Sequence, residues 1–318
     1  MRFALTEDQV AFRDAVRDLL AKECTPAVVR AASDAPAGKL DRGVWDSLRE
    51  MGVLGLLVPE ADGGLGLDET YLVPILEECG RAALPHPIVE TAMVAARLLG
   101  ADIGMVSTDL GGPNVPCATD ADMLLLLRDD ALIAVATSEV TLDPVATVDS
   151  ARRAARVTAI PANPPPAPEP VPIELALDRG ALGTAAMLVG LGQAMLDLTV
   201  GYVQERQQFG VPIGSFQAVK HHLADAALAL EFARPAVWRA GWSVAHDQPT
   251  RARDVSMAKA MANDAAELVS RKALQCHGAI GYTVEADLHL FMKRAWALAR
   301  SWGDTAHHTD RVASALDA

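Results

Sequence analysis

The 318-residue chain carries 28 Lys and Arg against 41 Asp and Glu, a formal charge of -13, and 51% of its residues are hydrophobic while only 4% are aromatic. A chain of this length buries a sizeable core, and its Ala- and Leu-rich composition favours long helices, because these side chains lose little freedom on entering one. No basic run is dense enough to neutralise neighbouring phosphates, which excludes nucleic acid as a partner, and apolar runs such as residues 123–127 fall far short of the ~20 residues of a membrane span.

In chain order, apolar residues at Val10, Phe12, Val16, Leu19 and Leu20 predict a helix over 6–20, with Thr6 as N-cap ahead of Glu7 and Asp8 at its positive end. Shorter helical stretches follow at 24–32 and 44–51, the second ended by Gly52. The segment 55–67 holds a proline and several glycines and predicts an irregular turn. Asp68 then caps a helix to about Arg81, and Pro85 and Pro87 separate it from another over 88–99. Residues 1–100 thus form an N-terminal helical domain.

Between 101 and 172 the texture changes. Runs at 123–127, 132–136 and 154–160 favour strands, broken by turn residues, and predict a reduced β-domain. It ends in the proline-rich stretch 161–172, expected to make neither helix nor ladder and to act as an extended connector. From 173 to 318 four long helical segments, 182–208, 216–246, 250–278 and 286–311, predict a four-helix bundle. The fold class is therefore mainly α, with an N-terminal helical domain, a truncated β-domain and a C-terminal bundle. Cys24, Cys79, Cys117 and Cys276 lack a C-x-x-C pair or zinc spacing, and the N-terminus is amphipathic rather than basic-then-apolar, so a cytoplasmic protein with reduced thiols is expected. The pairs His221-His222 and His307-His308 point about 100° apart on a helix and suggest no third ligand; solvated or capping roles are expected, and no metal site.

Residues 205–219 read Glu-Arg-Gln-Gln-Phe-Gly-Val-Pro-Ile-Gly-Ser-Phe-Gln-Ala-Val, and residues 275–285 read Gln-Cys-His-Gly-Ala-Ile-Gly-Tyr-Thr-Val-Glu. Arg206 presents a permanently charged planar fork suited to a diphosphate, and a glycine-bearing turn after Gln275 lets backbone N–H groups approach an anion closely. The two segments suggest a pyrophosphate clamp. They resemble the R-x-Q/T-F-G-x-P-I-x-x-F-Q and Q-x-x-G-G-x-G-Y-T-x-E signatures of the acyl-CoA dehydrogenase family. Leu5-Thr6-Glu7-Asp8-Gln9 and Val58-Pro59-Glu60 with Gly63-Gly64-Leu65-Gly66 match that family's front end. The resemblance implies that Arg206, Phe209, Gln217, Gln275, Gly278 and Gly281 face FAD bound mainly to a neighbouring subunit. Ala279 replaces the usual second glycine. It also implies an acyl-CoA substrate and an electron-transferring flavoprotein as acceptor.

Enzymes of that family abstract an α-proton from an acyl-CoA thioester with one fixed carboxylate while the β-hydride passes to flavin. Counting from Arg294 places Gly303 where the commonest catalytic Glu stands; counting back from Arg206 places Gly180 where a second subgroup has its own. Asp304, one residue displaced, is the remaining candidate base, with Asp178 weaker still, and Ala181 replaces an Arg the family often carries there. The flavin-gripping T-x-P-x-x-G-S-D loop and W-I-T strand are also missing between Leu99 and Ala154. This pattern is similar to the shortened non-catalytic subunit of heteromeric acyl-CoA dehydrogenases, which implies a related partner chain supplying the Glu, FAD shared across the interface, and bulky acyl groups such as steroid side chains. Two alternatives stay open: a self-sufficient homo-oligomer using Asp304, and a redox-inactive scaffold or ligand-binding homologue.

Overall fold

The computed structural model describes residues 3–34, 39–167 and 172–316. Ten helices and seven short strands are present among them. Helix α1 (Glu7–Glu23) opens on a reciprocal capping box: the Gln9 N–H donates to Thr6 Oγ1 at 3.2 Å, and the Thr6 N–H donates to Gln9 Oε1 at 2.9 Å. Helices α2 (Pro26–Asp34) and α3 (Gly43–Glu50) follow, then α4 (Glu69–Arg81), whose first turn is capped by Asp68 Oδ1 accepting from the Thr70 N–H at 2.8 Å. The predicted helix over 88–99 is largely π-helical, Val89–Ala95, and closes as the short α5 (Ala96–Leu99).

The reduced β-region holds β1 (Val106–Thr108), β2 (Met123–Arg128), β3 (Ala131–Ala136), β4 (Thr141–Pro144) and β5 (Ala155–Ala159). β1 pairs parallel with β2, β2 antiparallel with β3, and β4 antiparallel with β5 in a separate sheet. β1 and β4 are too short and too mixed in polarity to stand out in the sequence. The proline-rich connector departs from expectation: the Ala134 N–H donates to Pro165 O and the Ala167 N–H to Leu132 O, so part of it pairs with the edge of β3. Prolines are tolerated there because an edge needs few of their missing donors. Residues 168–171 of the connector lie outside the described residues.

The C-terminal part is built on α6 (Ile173–Glu205), which packs against α4, α7 (Gln217–Ala245), α8 (Arg251–His277) and α9 (Leu288–Arg300). It begins nine residues earlier than the sequence pattern suggests, because its polar opening hides a buried ion pair. The Asp178 side chain is fully buried and accepts from Arg251 Nε at 3.1 Å and Arg311 Nη2 at 2.9 Å. Helix α6 is long and apolar enough to cross a membrane by length and composition alone, with a mean hydropathy of 1.4, but 83% of that window is buried inside the protein, as expected of a central core helix. The single final helix expected over 286–311 is instead two, α9 and α10 (Thr305–Leu316), separated by a turn in which Trp302 and Gly303 have φ of +60° and +92°. The expected four-helix bundle therefore carries a fifth helix.

Backbones approach closely where α4 crosses α6. A Cβ on Gly80 would lie closer than 3.0 Å to the Met187 carbonyl, and one on Gly190 closer than 3.0 Å to the Glu77 carbonyl. Each substitution would force two rigid backbones apart, unlike a clash with a mobile side-chain tip. Gly80→Ala and Gly190→Ala are each expected to destabilise the protein by roughly 1–3 kcal/mol in urea denaturation, despite alanine's better helix propensity.

Candidate functional site

One end of the bundle gathers both signature segments. Arg206 ends α6 in extended conformation and remains exposed. A two-residue hairpin follows, β6 (Gln207–Gln208) against β7 (Val211–Pro212), with Phe209 and Gly210 at its tip at φ +55° and +81°. Positive φ at both central residues matches the twist of a tight hairpin and projects its tip outward. Phe209 is 93% exposed, edge-on to Phe216 with ring centroids 6.2 Å apart. Gln217 stands exposed in the first turn of α7, at the positive end of a 29-residue helix.

The second segment is tied to the first by stacking of Tyr202, one turn before Arg206, on His277 at the end of α8, with centroids 4.4 Å apart. Gln275 is exposed in the last turn of α8. Gly278 leaves that helix at φ +63° with nothing within 4 Å of an added Cβ, so its backbone is open to close approach by a ligand. Gly281 serves packing: a Cβ there would press on the His277 Cβ at 2.9 Å and Leu274 Cδ1 at 3.0 Å. Ala279 is exposed in the turn Gly278–Tyr282, and Tyr282 beside it is 79% exposed. A cationic fork, a helix N-terminus, an open glycine backbone and exposed aromatic rings fit the diphosphate and flat rings of a dinucleotide cofactor.

The two glycines that the resemblance aligns with the family's catalytic carboxylates lie at the opposite end of α6, and they are packed shut. Gly180 is buried, and a Cβ there would lie closer than 3.0 Å to the indole ring of Trp302. Gly303 is in the left-handed region, where a Cβ would meet His307 Cδ2 and His308 Nε2. Asp304, the displaced candidate, caps α10: its Oδ1 accepts from the His307 N–H at 3.0 Å, which holds its carboxyl below the ordinary carboxylate range. Asp178, the weaker candidate, is bracketed by its two arginines. His308 is not solvated as the sequence suggested; it is buried, with Nε2 2.8 Å from Trp302 O and Nδ1 3.2 Å from Ser256 Oγ, and burial lowers its pKa to about 4.

A buried polar cluster that sequence reasoning missed lies beside this turn. Glu90, His86, Arg152, Thr184 and Arg294 line a cavity of about 20 Å³. Burial raises the Glu90 pKa against the pull of Arg152 and Arg294, and lowers His86 to about 4. Arg294 is ion-paired with Asp149 and donates to Leu84 O. Glu90 is the one charged residue in the mostly apolar stretch Ile88 to Val94, and that charge was the available signal. The turn itself is held by Lys259, fully buried, whose Nζ donates to Asn263 Oδ1 at 2.7 Å and to Gly303 O at 3.0 Å. Among the described residues, no group of three or more His, Cys, Asp or Glu is arranged to hold a metal.

Residues 6–105 match the acyl-CoA dehydrogenase N-terminal domain and residues 172–316 the C-terminal domain, so the chain belongs to the acyl-CoA dehydrogenase family. Among its relatives, acyl-CoA dehydrogenase IpdE2 of Mycobacterium tuberculosis is 33% identical over 311 residues, covering 92% of each chain. FadE34 of the same organism is 30% identical over 99% of this chain and 48% of its own length. The fold is similar to that in the crystal structure of the ChsE4-ChsE5 complex from Mycobacterium tuberculosis, with a TM-score of 0.85 and 22% identity over 100% of this chain and 99% of that one. It is also similar to that of butyryl-CoA dehydrogenase from Megasphaera elsdenii, with a TM-score of 0.82 and 21% identity over the whole of both chains.

Burial lowers the Lys259 pKa to about 7 from an ordinary 10.5. A depressed folded-state pKa means that the unfolded chain binds more protons between these values, so stability is present above pH 10.5 and is lost as pH falls through 7. Relative to Lys259→Met, the wild type is expected to gain on the order of 2 kcal/mol between pH 7 and pH 10 in paired urea titrations; parallel pH profiles would contradict the assignment.

Proposed function

We propose that the chain is an acyl-CoA dehydrogenase subunit that helps complete an FAD site and an acyl-CoA site on a related partner chain, which supplies the catalytic Glu. The observation that carries this reading is a contrast along α6. Both base positions, Gly180 and Gly303, lack room for a side chain beside the neighbours now packed on them, while Arg206 and Phe209 stand exposed at the other end. Bound FAD supplies the hydride acceptor. On this reading Arg206 pairs with the diphosphate, the Gly278 backbone and Gln275 approach it from α8, Gln217 adds the N-terminus of α7, and Phe209 covers a flat ring. The β-region, two sheets of three and two strands, gives this chain little with which to enclose a flavin ring of its own.

The related ChsE4-ChsE5 structure is a complex of two chains, and another neighbour, with a TM-score of 0.84 and 24% identity, is described as a Tcur3481-Tcur3483 steroid ACAD variant. They support a paired assembly and a bulky, steroid-like acyl group as substrate class. Electron-transferring flavoprotein is the proposed acceptor. The four free, buried cysteines, with Cys24 and Cys117 pushed up to about 12 by burial, fit a reducing cytoplasm.

The reading is tested by visible absorption of the chain purified alone and co-expressed with a related full-length acyl-CoA dehydrogenase. Flavin is expected only in the co-purified pair, and Arg206→Ala is expected to weaken its retention by at least tenfold, as fits the loss of one charge-assisted contact of about 1.5–3 kcal/mol. Stoichiometric flavin on the lone chain, bleached by an acyl-CoA, would instead support a self-sufficient dehydrogenase.

A further inference from the structure

We infer that Trp302 is a built-in plug that closes this chain's own acyl cleft, so that a paired assembly binds acyl-CoA only where the partner provides the cleft; this rests on the half-site reading above. By the resemblance, Gly180 and Gly303 stand where the family's two kinds of catalytic carboxylate are carried. The Trp302 indole fills the space that a side chain on Gly180 would enter, and a Cβ added to Gly111 would also come within 3.0 Å of it, so one ring is seated between glycines of two separate segments. Trp302 is only 6% exposed. The small cavity beside the turn, joined to it by Arg152 on Ser301, has a volume of about 20 Å³, room for about one water molecule, where a pocket for a small organic ligand needs roughly 300 Å³ or more.

The seat is held from four sides. The Trp302 N–H donates to Gly111 O at 3.0 Å, and Trp302 O faces His308 Nε2 at 2.8 Å. Gly303 O accepts from Lys259 Nζ at 3.0 Å, and Ser301 Oγ accepts from Arg152 Nη1 at 3.0 Å. A bulky residue at φ +60° is disfavoured, and glycine would occupy that backbone with less strain. Tryptophan therefore occupies this position against the preference of the backbone, and its ring fills the slot between Gly111 and Gly180. Three buried polar atoms of residues lining the small cavity, His86 Nδ1, Thr184 Oγ1 and Arg294 Nη2, have no protein hydrogen-bond partner, which makes that space unsuited to an acyl chain.

Trp302→Gly removes the ring and suits the backbone, whereas Trp302→Phe keeps the cleft largely filled. Octanoyl-CoA and a steroid-acid CoA thioester are titrated calorimetrically into the wild-type chain and both variants. The wild type and Trp302→Phe are expected not to bind, and Trp302→Gly is expected to bind one thioester at least tenfold more tightly than either. Indole is expected to compete with the thioester and to raise the thermal midpoint of Trp302→Gly alone. One thioester bound per wild-type chain would overturn the plug, as would a folded, indole-stabilised Trp302→Gly with no gain in thioester binding. If Trp302→Gly does not fold, the wild-type titration decides by itself. Thioester binding by the wild type, with flavin still lost from the pair on Arg206→Ala, would remove the plug and leave the half-site reading standing. A closed wild-type cleft with flavin retained in Arg206→Ala would do the reverse.

Discussion

The architecture depends on α6 presenting faces without side chains. Added Cβ atoms on its Gly180, Gly183, Gly190 and Gly192 would meet Trp302, Val89, the Glu77 backbone and Leu230 respectively, four neighbours from four different elements. Protein interiors pack near crystal density, so a helix that must accept neighbours on all sides can do so only where its own surface recedes. Two further features follow. The N-terminal helices sit directly on the bundle through the α4 crossing, and the space beside the start of α6 becomes a slot deep enough for an indole.

Seen along α6, the molecule has one closed and one open end. At the closed end, burial is matched by polar pairing: Asp178 between two arginines, Lys259 on carbonyls of the turn, and Arg294 on Asp149. Removing one member of such pairs leaves a buried charge unmatched, which gives this end rigidity and little capacity for chemistry. At the open end Phe209 and Tyr282 stay in solvent, and Arg206 is exposed beside them. Exposed aromatic rings beside a cationic fork have more to gain from a ligand or partner than from water. The division of labour between the two ends is the physical basis for reading the chain as one half of a shared site.

The sequence made the helical layers legible where apolar period and caps coincide, as at Thr6 and Asp68. The open end was legible too, because Arg206, the Phe209-Gly210 tip and Gln275 with Gly278 are local motifs whose chemistry shows in the residue types themselves. Less legible were features decided by contacts distant in sequence. The early start of α6 depends on Arg251 and Arg311 reaching Asp178; the break before α10 depends on Trp302 finding Gly111 and Gly180; and Glu90 acquires its environment from Arg152 and Arg294. In the sequence Gly180 and Gly303 register only as a missing carboxylate, whereas in three dimensions Trp302 and His307 with His308 occupy the space a side chain there would need.

The central claim, that this chain completes a flavin site held on another chain, is tested most directly by native mass spectrometry of the co-expressed assembly. One FAD for each pair of unlike chains, and none on this chain when it is released intact from the complex, is the result the account predicts. FAD on every chain, or FAD that remains with this chain after separation, would contradict it.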